Sequence, residues 1–93
     1  MFKRILTRMR EKVRRRQFVM TRHARKEMSE DGLTIYDVEC GILAGEIVER
    51  QQDPETGEHK YRIAGETVEG ELVEVIAKIG PTGKPVIITV YRS

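Results

Sequence analysis

The amino-acid sequence predicts an α+β domain in which N-terminal helices pack on a three- to four-stranded antiparallel sheet. Two observations lead there. Over residues 2–43 the apolar side chains recur three and four apart, the period of a helix with one buried face. From Ile47 onward they alternate in short runs separated by clusters of Gly, Pro and Asp, the pattern of strands joined by tight turns. Helices first and strands afterwards imply segregated layers rather than alternating βα units.

Residues 2–16 read as a helix with Phe2, Ile5, Leu6, Met9 and Val13 on one side and Lys and Arg on the other, uninterrupted by Gly or Pro. Residues 17–20 read as a short strand or an extended lead-in. Thr21 then caps a helix over 22–30, its hydroxyl accepting from a free amide of the first turn. Ala24 and Met28, four apart on that helix, face the core, and Asp31-Gly32 ends it. Thr34, with Asp37 three residues on, caps a third helix. Its apolar stripe is Ile35, Val38, Ile42 and Leu43, and Gly45 closes it.

The strand region starts with Ile47–Gln51, turns through Asp53–Glu58 and returns over Tyr61–Ala64. Gly65-Glu66 and Gly70 punctuate the next stretch. Residues 71–79 alternate, Val73, Val75, Ala77 and Ile79 against Leu72, Glu74, Ile76 and Lys78. After a Gly80–Pro85 loop, Val86–Tyr91 forms the last strand. Strict alternation puts Val86, Ile88 and Val90 on one face and Ile87, Thr89 and Tyr91 on the other.

Composition narrows the class. Apolar residues make up 39% and charged residues 34%, a globular chain with a charged surface. Aromatics are 5% with no Trp, so the core is aliphatic. Cys40 is the single cysteine, which excludes an internal disulfide and suits a reducing, cytoplasmic setting; we read it as structural or incidental. No apolar run approaches the ~20 residues that span a bilayer, and the N-terminus lacks the apolar stretch of a secretory leader.

Charge is unevenly distributed. Residues 1–16 carry eight basic side chains against Glu11 alone, a net +7, while residues 17–93 carry nine basic against fourteen acidic groups, a net −5. This divides the chain into a basic amphipathic helical arm, 1–16, and a single α+β domain, 17–93. Arg4, Arg8, Arg14, Arg15 and Arg16 on the arm suit phosphate contact, a sequence-independent attraction to nucleic acid. Two other readings stay open: a solvated or self-docking helix face, and an amphipathic helix lying on an anionic membrane. Arg22, Arg25 and Lys26 on the second helix and Arg62 on the sheet extend the cationic set.

His23 sits in the first turn of the second helix, where a neutral imidazole can act as a base, and Glu27 lies four residues on to orient it. The alternative is an ordinary exposed histidine in a helical pair. Lys78, Thr89 and Tyr91, with Arg62 and Tyr61 on the neighbouring hairpin, offer polar groups from the sheet for an anion site, or plain solvent-facing decoration. His23, Glu27 and the distant His59 do not make a metal-ligand set.

Taken in order, several segments resemble a small prokaryotic family of unknown function. They are Phe18-x-x-Thr21-x-His23-Ala24-x-x-x-Met28, Gly32-Leu33-Thr34, Asp37-Val38, Gly45-Glu46-Ile47-Val48, Tyr61 and Val86-Ile87-Ile88-Thr89-Val90-Tyr91. That family is itself similar to the RelE-like ribonuclease toxins of the barnase–EndoU–colicin–RelE group. The resemblance covers roughly residues 18–91. It implies a helix pair on a four-stranded antiparallel sheet, metal-independent RNA cleavage without a cofactor, and a cognate antitoxin as partner. By position it assigns His23 to the family histidine, and Thr89 and Tyr91 to the closing strand. Glu27 and Asp31 stand where the family pattern carries cations.

The expected function is therefore a toxin-like endoribonuclease with His23 as acid or base, Lys78 or Arg62 clamping phosphate, and Tyr61 or Tyr91 contacting the RNA. The alternative is a non-catalytic nucleic-acid- or protein-binding module anchored by the basic helix. A third expectation is a homodimer through helix 1–16, using Phe2, Ile5, Leu6 and Met9.

Overall fold

Thr21 shows how this chain starts its helices. Its Oγ1 accepts from the Ala24 amide at 3.1 Å, supplying a partner to one of the free donors of a first turn. Thr34 does the same for Asp37, and the Asp37 carboxylate accepts from the Thr34 amide at 2.9 Å, a complete capping box. In the computed structural model, which describes residues 2–93, these caps open α2 (Arg22–Glu30) and α3 (Ile35–Ala44). The first helix, α1 (Lys3–Arg14), has no side-chain cap and is held by its apolar face instead.

Two helices end in the same motif with different residues. At α2 the Leu33 amide reaches the Met28 carbonyl and Gly32 takes φ +67°, as the sequence predicts. At α1 the Gln17 amide bonds the Lys12 carbonyl and the Arg16 amide the Val13 carbonyl, with Arg16 at φ +56° where glycine is usual. That turn stops α1 at Arg14, two residues before the expected end.

The strands are β1 (Val19–Met20), β2 (Glu46–Gln52), β3 (His59–Glu66), β4 (Leu72–Ile79) and β5 (Pro85–Arg92). They form one five-stranded mixed sheet in the order β1-β5-β4-β3-β2. This corrects the expectation of three or four antiparallel strands. The added strand is the extended lead-in, whose Val19 and Met20 pair in parallel with Val86 and Ile87 of β5. Two residues are too few to carry an alternation, so no periodicity announces it.

The faces of β5 also differ from strict alternation. Ile76 pairs with Thr89 and Ala77 with Ile87, leaving Ile88 as an extra residue in a β-bulge. The inserted residue inverts the alternation beyond it, so Ile87 and Val90 both lie fully buried while Val86, Thr89 and Tyr91 take the opposite side. A second bulge at Val48 shifts β2 against β3 between Ile47 and Glu49.

The core gathers on one side of the sheet, where α3 packs on β3 and β4 and α1 packs on α3. Met9, Val13, Val38, Ile42, Ile63, Val75 and Ile87 are essentially inaccessible. Burial of an aliphatic side chain contributes about 1.5–3 kcal/mol, so α1, with Leu6, Met9 and Val13 buried, is part of the domain's packing. Leu6 and Met9, expected to pair two copies of the helix, are covered by this chain itself. No helix among the described residues is long and apolar enough to cross a membrane.

Candidate nucleic-acid interface

With its apolar side on the core, α1 turns the opposite side to solvent. Lys3, Arg4, Arg8 and Arg14 are exposed on it and Arg15 just past its end, with Glu11 the one acid among them. Among the described residues, none of these five cations lies within salt-bridge distance of a carboxylate. Two other cations of the segment are occupied. Arg10 donates to the Gly45 and Ile42 carbonyls at the end of α3, satisfying groups the helix leaves free. Arg16 sits 5.8 Å over the Tyr36 ring and 3.9 Å from Glu39.

On α2, Arg22 and Arg25 are exposed, and Lys26 is exposed with Glu30 at 3.9 Å. His23 is exposed too, its Nε2 3.0 Å from Glu27 Oε1. Glu27 also accepts from the Val90 amide at 3.4 Å, and Asp31 one turn later accepts from the Arg92 amide at 3.2 Å. The two acids that stand at cation positions of the resembled pattern thus cover amides of β5 beyond its short pairing with β1.

The other residues expected in a catalytic set are engaged elsewhere. Lys78 is bonded to Glu58 at 2.8 Å. Arg62 is held between Glu49, at 2.9 Å, and Glu74. Its contacts fix its charge, with the guanidinium raised further above its ordinary range chiefly by the bond to Glu74, whose own carboxyl that bond lowers. Thr89 and Tyr91 lie opposite Ile76 and Glu74 on the face away from the core. Tyr61, by contrast, is buried in the core. Three separate groups result: His23 with Glu27 beside β5, Arg62 with its two glutamates on the sheet, and Lys78 with Glu58.

Sequence reasoning passed over one cluster. Phe2 and Tyr61 meet edge to face with ring centroids 5.7 Å apart, and the His59 ring is 6.4 Å from Tyr61. The Arg50 guanidinium lies 5.2 Å over Phe2. These residues come from the start of α1, β2 and β3, and only the docking of α1 and the sheet register bring them together. Among the described residues no group of three or more His, Cys, Asp or Glu is placed to hold a metal ion.

The model of one protein family, described as a domain of unknown function (DUF4258), matches residues 20–92. No curated protein and no solved structure matches the chain.

Proposed function

The chain belongs to the DUF4258 family, a domain of unknown function, and we propose that this member is an RNA-binding module whose contact surface is the outer side of α1. The observation that carries the reading is the pairing of rigidity with free charge. Leu6, Met9 and Val13 fix the helix on the core, and Lys3, Arg4, Arg8, Arg14 and Arg15 project from its other side, without carboxylate partners among the described residues. A pre-positioned row of cations contacts phosphates without first breaking internal ion pairs. Arg22, Arg25 and Lys26 of α2 add further exposed cations.

The test is the salt dependence of binding to labelled single-stranded RNA, read by fluorescence anisotropy. Each phosphate contact on a single strand contributes roughly 0.7 to the slope of log K against log salt. Arg4→Ala and Arg15→Ala should each weaken binding and flatten that slope. A wild-type protein whose affinity does not respond to salt would sink the reading.

The His23–Glu27 contact at 3.0 Å favours a second reading, metal-independent RNA cleavage of the toxin kind. There the imidazole takes the proton of a ribose 2′-OH as that oxygen attacks the adjacent phosphorus. The bond from phosphorus to the 5′-oxygen breaks and water protonates the departing oxygen, while Thr89, Tyr91 or Lys78, drawn in from outside the His23 group, assists at the phosphate. Lys78 must leave Glu58 to do so. A cognate antitoxin belongs to this reading alone. Incubation with RNA in EDTA separates the two: cleavage lost in His23→Ala supports the nuclease, whereas salt-dependent binding without cleavage supports the binding module.

A further inference from the structure

A groove of about 260 Å³ runs between α1 and the start of β3, lined by Ile5, Arg8, His59, Tyr61 and Ile79. Of the exposed α1 cations it includes Arg8, and of the ring cluster described above His59 and Tyr61. Ile5, Tyr61 and Ile79 supply the apolar part of its lining, here called its floor, and Arg8, Glu58 and His59 the polar part. Its acid, Glu58, is bonded to Lys78 at 2.8 Å, and among the described residues Arg8 lies within ion-pair distance of no carboxylate. A cation beside an apolar floor with a half-buried imidazole at the side fits a nucleotide, which is a flat ring joined to an anion.

We propose that this groove takes one nucleotide of a single-stranded RNA, its base against the His59 ring and the apolar floor and its phosphate on Arg8. This rests on the RNA-binding reading and deepens it, adding a base contact to a surface that otherwise meets only the backbone. Base–ring stacking tolerates any sequence because every base has a π-face. The groove therefore distinguishes RNA carrying bases from a bare sugar-phosphate chain. It does not select one base.

The experiment compares an oligouridylate with an abasic ribose-phosphate oligomer of equal length, with affinity and salt slope measured for each. One stacked base changes affinity by about tenfold, so the wild type should prefer the oligouridylate by roughly that factor. His59→Ala should erase the preference and leave the salt slope as it is, and His59→Phe, which keeps a ring, should restore it. Arg8→Ala should weaken both ligands. Circular dichroism of each variant checks that it is folded. If the wild type binds both oligomers equally, or if folded His59→Ala keeps the preference, the groove assignment is overturned while the α1 reading stands. If neither oligomer binds with a salt-dependent affinity, both fall together.

Discussion

Glu27 and Asp31 each give a carboxylate to a backbone amide that the sheet leaves unpaired. A hydrogen bond to a charged acceptor contributes about 1–2 kcal/mol where it is partly shielded, so Glu27→Ala should lower the unfolding free energy by that order and move the urea midpoint down accordingly. His23→Ala, which removes an exposed ring, should leave the midpoint nearly unchanged. Arg16 is strained in the left-handed region; glycine there relieves the crowding but adds unfolded-chain entropy and gives up the Tyr36 and Glu39 contacts, so Arg16→Gly should change stability by no more than roughly 0.5 kcal/mol. The Asp37 carboxyl is held below the ordinary carboxylate range, first by the Thr34 amide and then by the Val68 amide. Its folded form therefore releases the proton more readily than the unfolded chain does. The resulting stability is complete above the unfolded value of about 3.9 and fades as pH falls through the lower folded value. Thermal melts of Asp37→Ala should show a lower Tm at neutral pH and a smaller further loss in acid. The caps at Thr21, Gly32 and Thr34–Asp37 were legible in the sequence because donor and acceptor are at most a few residues apart. The roles of Glu27 and Asp31 were not, because their partner amides lie 63 and 61 residues away.

Among the elements, α3 and β3 meet backbone to backbone, and glycine makes the approach feasible. A Cβ on Gly65 would overlap the Gly41 carbonyl oxygen, and one on Gly45 would stand 2.7 Å from the Ala64 oxygen as well as against Gly41. Neither neighbour is a side chain that can swing away. Gly65→Ala should cost about 3 kcal/mol or more, the upper range of overpacking. Gly57→Ala faces open space and bears only its positive φ, about 1 kcal/mol. Chemical denaturation of the pair would check the ordering. Strand β4 was readable residue by residue because its alternation is unbroken. β5 was readable as a strand but not as two faces, since the residue at which the alternation inverts, Ile88, is as apolar as its neighbours. The same hidden bulge decides which residues of the closing strand meet solvent: Thr89 and Tyr91 do, while Ile87 between Val86 and Ile88 goes to the core.

At the scale of the molecule, the basic segment and the acidic remainder are packed as one body, and the sequence showed their charges but not their union. Helical spacing identified the apolar side of α1, yet nothing local states whether that side meets a second copy, a membrane or the chain's own strands. The candidate site was half legible for the same reason. A row of cations on one helix can be read from a single window, whereas Phe2, Arg8, Arg50, His59 and Tyr61 converge only after the sheet has closed. That closure has a consequence in time. β1 joins the sheet through β5, so its pairing, and the docking of α2 that follows it, bring together segments from the first and last thirds of the sequence. Loop-closure entropy opposes such pairings until late contacts form. Refolding, followed by far-UV circular dichroism because the chain has no Trp, should take about a millisecond to a second rather than microseconds. During synthesis the order is more constrained still. Thr21 and α2 are made well before Pro85–Arg92, so this helix waits, uncovered, for the strand it packs on.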